Sequence, residues 1–412
     1  MRSFRKLKKV THTSVTHADN DKLLNPTFIL AWIVNFAQFL VFYILITTMA
    51  VYAVTQFGAS DTAGGFAASS FVVGATVARL FSGYVVDTVG RRSSLMVSLV
   101  LVVVSCALYF PAHSLAVLIP VRFIHGVGYA VASTAIMAVA QAVIPNRKRA
   151  EGTGYFALGT TLATAVGPAV GLFLANGPGY TTMFVVVSAL TVIDLVVAWF
   201  LKVPENNRDY RPKFTLASVV HPRVAPIGLF MFLVGIGYAG VVTFLNSYAH
   251  ATGLTAGAGL FFIAYAAMTF AMRFFLGRLQ DRRGDNSVIY ITLAGFIAGL
   301  VLLATATADW HVVIAGALVG LGYGSIMPAV QAISVRLVKR EEMGAGISTM
   351  FLFLDLGVGL GPIFLGMLIT STGYSAMYWL LAGLIVVAGC VYYLVHGRTD
   401  AAKGSNLHTE DI

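Results

Sequence analysis

The chain is predicted to be an all-α membrane protein of twelve transmembrane helices, arranged as two pseudo-symmetric six-helix bundles. Three observations predict this. First, 58% of the 412 residues are hydrophobic and only 11% are charged, with a mean hydropathy of +0.83. A soluble fold of this length cannot hide so much apolar surface, whereas lipid accepts it. Second, the apolar residues fall into runs long enough to cross a bilayer. Third, a motif in the first half of the chain returns in the second half at a fixed distance.

Twelve runs qualify, at roughly 27–54, 62–86, 94–112, 115–144, 152–175, 181–201, 223–248, 254–279, 287–307, 312–335, 344–370 and 375–395. About 20 apolar residues cross a bilayer as a helix, and longer runs cross with tilt. Helices are required because backbone groups in lipid must be satisfied within the segment, and the alternation of a barrel strand is absent. Basic residues set the orientation. Of the 27 Lys and Arg, 24 fall in the two tails, in the connections on one side or at the run ends bordering them (Arg223 and Arg278), and Arg79, Arg122 and Arg273 lie deeper within runs. The positive-inside rule then predicts both termini in the cytoplasm of a multi-pass cell-membrane protein. The same distribution accounts for the net charge of +10 without a nucleic-acid partner. The predicted divisions are a tail at 1–26, a first bundle at 27–202, a linker at 203–220, a second bundle at 221–396 and a tail at 397–412. The linker is polar and carries Pro204 and Pro212. Cys106 and Cys390 both sit in apolar runs, and no cofactor, metal site or catalytic set is expected.

The repeat relates Arg79, Gly83, Asp87 and Gly90 to Arg273, Gly277, Asp281 and Gly284, each 194 positions on. The same offset relates Gly126 and Gly128 to Gly320 and Gly322, Gly152 to Gly346, and Gly167-Pro168 to Gly361-Pro362. One register across separate regions implies tandem halves, an arrangement that places a transporter's site between them near the midplane. Gly83 and Gly277 allow close helix approach. Asp87 and Asp281, at span ends, can each neutralise the N-terminal dipole of a facing helix. Pro168 and Pro362 each remove a helical hydrogen bond, so kinks are expected there.

The charges that the offset does not repeat are the candidates for substrate and coupling chemistry. Arg122 maps onto Gly316, Asp355 onto Thr161 and Asp194 onto Ala388. A buried charge at a span centre costs about 2.5–3.5 kcal/mol on insertion scales, so each needs a partner or a wet cavity. Asp355 lies near the midplane, and burial opposes its charged form, so it can load and release a proton as a cavity opens to either side. Arg122 can modulate that affinity or hold an anionic substrate group. His125, one turn from Arg122, is a candidate relay member or a packing histidine. Asp194 is expected to have an internal pairing partner. Asn35, Gln38, Tyr43, Tyr238, Asn246 and Gln331 are candidates for the substrate cavity.

Over nearly its whole length the chain resembles the major facilitator superfamily, and within it the twelve-span drug and metabolite:proton antiporters. Gly83 to Arg92, with Asp87, Gly90, Arg91 and Arg92 in register, matches the family's loop between spans two and three. Arg122, Gly126 and Gly128 match its span-four motif, with His125 where Gln is usual. Gly154, Gly167, Pro168 and Gly171 match its antiporter motif, with Ala163 and Leu172 in place of two glycines. The resemblance implies that Asp87 faces the start of span eleven, and symmetry then sets Asp281 against the start of span five as a second latch of the cytoplasmic gate. It also implies a proton-relay role for Arg122. Many such antiporters carry an acid in span one, where this chain has Asn35 and Gln38. The implied function is proton-coupled export of small organic molecules, by a monomer in a lipid bilayer. The alternatives are an uptake symporter of the same fold and a non-transporting sensor.

Overall fold

The computed structural model describes residues 23–59, 61–204, 215 and 219–404, apart from a few side chains within helices. The tails before residue 23 and after 404, and most of the linker, lie outside the described residues.

The first half folds as α1 (Pro26–Phe57), α2 (Asp61–Val89), α3 (Arg91–Ala107), α4 (Leu115–Val143), α5 (Arg149–Asn176) and α6 (Tyr180–Trp199). The second half folds as α7 (Ala225–Thr252), α8 (Thr255–Arg283), α9 (Asp285–Ala304) and α10 (Asp309–Arg336), followed by a helical stretch, Met343–Tyr392. That stretch is broken at Gly373, whose φ of 79° is one that only glycine adopts freely. Its two arms, 343–372 and 374–392, are α11 and α12. Ten helical segments among the described residues are long and apolar enough to cross a membrane. The other two predicted runs fall on α3, with 17 helical residues, and on α5, which is rich in Gly and Thr.

Helix ends follow local chemistry. Asn25 caps α1 by accepting from the Phe28 amide at 2.9 Å, with Pro26 in the first turn. Gly90 and Gly284 separate α2 from α3 and α8 from α9, with φ of 101° and 83°. That conformation turns the chain sharply between consecutive helices.

The two halves pack by the same rules. α1 packs on α5, α2 on α4, and α3 on α4 and α6; α7 packs on α11, α8 on α10, and α9 on α10 and α12. The repeat therefore survives into the tertiary structure, down to single close approaches. A Cβ on Gly126 would lie 2.0 Å from the Phe71 carbonyl oxygen, and one on Gly320 would lie 2.4 Å from that of Tyr265. Residues 71 and 265 are themselves 194 apart. Without side chains at these glycines, α2 and α4, like α8 and α10, come together backbone to backbone.

Gly126→Leu should therefore destabilise the chain, by about 1–3 kcal/mol for overpacking a tight contact. Gly259, whose Cβ would meet nothing within 4 Å, is the control. Thermal unfolding of purified protein should show a lowered midpoint for Gly126→Leu only. Equal midpoints for the two variants would contradict the packing described.

Candidate functional site: an ion pair and a tyrosine-lined cavity between the halves

A central cavity of about 310 Å³ lies between the halves. Its walls come from α1, α2, α4 and α5 on one side and from their repeats α7, α8, α10 and α11 on the other. Among the described residues, none of α3, α6, α9 or α12 lines it. Five tyrosines among the described residues line it, namely Tyr43, Tyr129, Tyr238, Tyr265 and Tyr323, with Phe39, Phe42, Phe71 and Phe351. Tyr238 and Tyr323 stack at 3.7 Å between centroids, with planes 3° apart. Phe42 stacks on Tyr129 at 5.6 Å. The result is an aromatic chamber with hydroxyls at its surface.

Among the described residues, two arginines and one carboxylate give the chamber its charge: Arg79, Arg273 and Asp355. Arg79 Nε donates to Asp355 Oδ2 at 2.7 Å, joining α2 of one half to α11 of the other. The Arg79 side chain is 5% exposed while that of Asp355 keeps 29%, so the carboxylate is the accessible member of the pair. The Arg79 guanidinium also lies over the Phe351 ring at 4.4 Å and approaches Thr134 Oγ1 at 3.5 Å. Arg273 is buried on α8, and neither its Nε nor its Nη1 has a hydrogen-bond partner among the described residues.

At the end of the bundles that carries the basic connections, the halves are joined by symmetric contacts. Asp87 accepts from the Gly344 and Ala345 amides at 2.9 and 2.8 Å, at the start of α11. Asp281 accepts from the Ala150 and Glu151 amides at 2.9 and 2.7 Å, at the start of α5. Each carboxylate thus satisfies amides that a helix N-terminus leaves unpaired. Gly83 and Gly277 make room for this: a Cβ on either would lie 2.6 Å from Ala345 Cα or 2.7 Å from Glu151 Cα. Ser348 Oγ adds a bond to the Arg79 carbonyl. On the other interface, Arg278 Nε donates to Glu151 Oε1 at 2.7 Å.

The arginines after Gly90 do more than mark topology. Arg91 is fully buried and donates to the carbonyls of Pro204 and Arg340, bridging the halves. Arg92 donates to the carbonyls of Leu201 and Trp199, at the end of α6. Its repeat partner Asn286 donates to the Gly397 carbonyl, just past α12. In both halves this position ties down the exit of the sixth helix. Sequence reasoning missed Asp285, the repeat partner of Arg91. Asp285 is buried and accepts from Gln280 and Arg336 and pairs with His396 at 2.8 Å. Its only signal in the sequence was an acid where the first half has a base.

Several expectations are corrected. Arg122 does not share the chamber with Asp355. It lies two turns along α4 from Tyr129, inside the first bundle, donating to the Ala68 carbonyl at 3.1 Å and lying over the Phe71 ring at 4.9 Å. His125 is buried beside it, with Nδ1 2.8 Å from the Tyr109 hydroxyl. The expected internal partner of Asp194 is absent: among the described residues nothing bonds its Oδ1. Asp194 instead borders a cavity of about 10 Å³ with Gln38, His125 and Thr191, just large enough for one water. Gln38 points there because it lies one residue, about 100° of helix, from the chamber-lining Phe39. Asn35 and Gln331 also leave the chamber wall. Asn35 donates to Thr160 Oγ1 at 3.2 Å, and Gln331 is buried one turn beyond Met327. Tyr43 and Tyr238 do line the chamber. The side chains of Asn246, Pro168 and Pro362 lie outside the described residues, and so do the kinks expected at the two prolines. Gly167 and Gly171 bring α5 onto α1, and Gly361 brings α11 onto α7. A Cβ on Gly154 would sit 3.5 Å from the Arg273 carbonyl oxygen, an ordinary contact.

Comparison with known proteins fits this architecture. The chain is 23% identical over 363 residues to the uncharacterised MFS-type transporter YhhS of Escherichia coli strain K12, covering 86% of this chain and 88% of that one. It is 25% identical over 343 residues to an uncharacterised MFS-type transporter of Burkholderia pseudomallei (strain 668), covering 81% and 83%. Among solved structures, the human organic anion transporter MFSD10 superposes with a TM-score of 0.76 at 16% identity, over 89% of this chain and 99% of that one. The transporter FucP in its outward conformation gives 0.72 at 16% identity, over 90% and 99%. The family model for the Major Facilitator Superfamily matches residues 31–309 and 227–411, and the chain belongs to that superfamily of membrane transporters.

Proposed function

We propose that this chain is a proton-coupled secondary active transporter that exports small organic molecules by alternating access. In this reading it is an antiporter of twelve spans that works as a monomer in the cell membrane, with both termini cytoplasmic. The observation that carries the proposal is the Arg79–Asp355 ion pair. It lies at the chamber wall, it joins the two halves, and its carboxylate is open to the chamber.

The coupling follows from charge. An ionised Asp355 holds α11 against α2 through Arg79. A proton reaching Asp355 through the chamber removes the attraction and leaves Arg79 without its counter-ion, a costly state away from water. The same helix pair carries the Asp87 contact to Gly344 and Ala345 and the Ser348 bond to Arg79. Loosening one therefore loosens the interface that closes the cytoplasmic end. Once that end opens, the proton leaves to the cytoplasm and substrate enters. Reforming the ion pair closes the end again and carries substrate outward. The membrane potential contributes about 2.3 kcal/mol per charge per 100 mV, so one proton per cycle sustains a useful gradient. Arg122, His125 and Asp194 lie outside this cycle's direct path. They form a buried polar set inside the first bundle and are proposed to tune it.

In proteoliposomes with an imposed pH gradient, wild-type protein should move substrate against the direction of proton flow. Accumulation on the side that protons enter would replace export with uptake symport. Asp355→Asn should lose proton-driven accumulation by about tenfold or more while retaining substrate exchange without a gradient. Wild-type accumulation by this variant would remove Asp355 as the coupling site.

Asp87→Asn should weaken the cytoplasmic closure by about 1–2 kcal/mol, the value of a carboxylate at a helix N-terminus. Ser348 is 1% exposed, between the halves. A cysteine placed there, with Cys106 and Cys390 replaced, should react faster with a membrane-impermeant maleimide from the cytoplasmic side when Asp87 is Asn. Unchanged labelling would show that the contact does not hold the gate.

A further inference from the structure

The repeat makes it possible to ask what each charge in the chamber should have as a partner. Arg79 is held by three side chains: Asp355 at 2.7 Å, the Phe351 ring at 4.4 Å and Thr134 at 3.5 Å. Its repeat partner is Arg273. Moving the three contacts by the offset of 194 gives Thr161 for Asp355, Ala157 for Phe351 and Pro328 for Thr134. The carboxylate, the ring and the hydroxyl have all been replaced. The surroundings nevertheless superpose: Ser348 bonds the Arg79 carbonyl, and Gly154, its repeat partner, is the residue whose Cβ would approach the Arg273 carbonyl.

Arg273 is thus in the position of Arg79, stripped of its counter-ion. It is 7% exposed, lines the chamber, and among the described residues its Nε and Nη1 have no hydrogen-bond partner. A buried guanidinium without an anion is unfavourable in a protein core and more so at membrane depth. A second cavity of about 10 Å³, shared with Ser325 and Pro328, adjoins Arg273. A water there could accept one hydrogen bond, but water does not neutralise the charge. Thr161 also lines the chamber, so the place that a symmetric carboxylate would fill opens directly onto the cavity.

We propose that Arg273 is the anion-binding residue of this transporter, and that the substrate supplies the carboxylate missing at Thr161. The substrate class is then an aromatic organic acid. Its carboxylate pairs with Arg273 across the Thr161 position, as Asp355 pairs with Arg79, and its ring rests among the chamber tyrosines, where Tyr238 and Tyr323 already stack. The inference deepens the export reading and rests on it only for direction, since an inside-negative potential also drives an anion outward.

The test measures thermal stabilisation of the purified full-length protein by benzoate, salicylate and phenylacetate, each against its carboxamide at constant ionic strength. Wild-type protein should be stabilised by the acids at concentrations about tenfold lower than by the amides, as loss of one charge-assisted pair predicts. Thr161→Asp builds the missing counter-ion into the chain, so it should keep the wild-type melting temperature or exceed it and lose the preference for acids. Arg273→Lys should keep the preference and Arg273→Gln should lose it. Equal stabilisation by acids and amides in wild type would overturn the proposal. So would an undiminished acid preference in Thr161→Asp, or stabilisation by chloride or inorganic phosphate with none by the aromatic acids. Proton-driven flux of neutral or cationic compounds, without acid binding, would sink the anion assignment and leave the export reading standing. Acid binding without proton-coupled flux would do the reverse.

Discussion

A charge taken out of water must find its opposite inside the protein, and in this chain the opposite is repeatedly in the other half. Asp87 and Asp281 each reach across to the amides that open a helix of the facing bundle. Arg79 reaches across to Asp355, and Arg91 to the Arg340 carbonyl. These contacts share the interface between the halves, most of them at one end, so they are made together when that end is closed and water replaces them when it opens. That coupling turns a set of bonds into an interface with discrete states, which is what alternating access needs.

The glycines set where these contacts can form. Gly83 and Gly277 sit one turn before the two carboxylates and bring the facing backbone within reach. Gly126 and Gly320 hold the second and fourth helices of each half together from within. Rigid bundles joined by polar contacts at one end leave the chamber free to be lined by aromatic rings. Among the described residues, charge enters that chamber at Arg79, Arg273 and Asp355, and the first and last of these neutralise each other.

Much of this was legible in the sequence. Composition and run length required helices in lipid, and a single offset of 194 predicted two equivalent halves. A carboxylate next to a span end and a glycine four residues earlier predicted a helix-dipole contact. Less legible was the assignment of polar residues to the chamber. Gln38 and Phe39 are neighbours in sequence, yet 100° of helix sends one into the first bundle and the other into the cavity. Arg122 was a candidate to modulate the proton affinity of Asp355 or to hold an anionic substrate group, but it lies over the Phe71 ring and donates to the Ala68 carbonyl within its own half.

By itself, the sequence determined the class of fold, the repeat and the residues that the repeat does and does not preserve, because periodicity and offset are properties of the chain alone. Only the tertiary structure decided which charges meet. Arg79 and Asp355 are 276 positions apart and belong to different halves, so no local pattern could pair them. Among the described residues the same folding left Arg273 with no carboxylate partner, because the position that pairs with Arg79 in the other half is occupied here by Thr161.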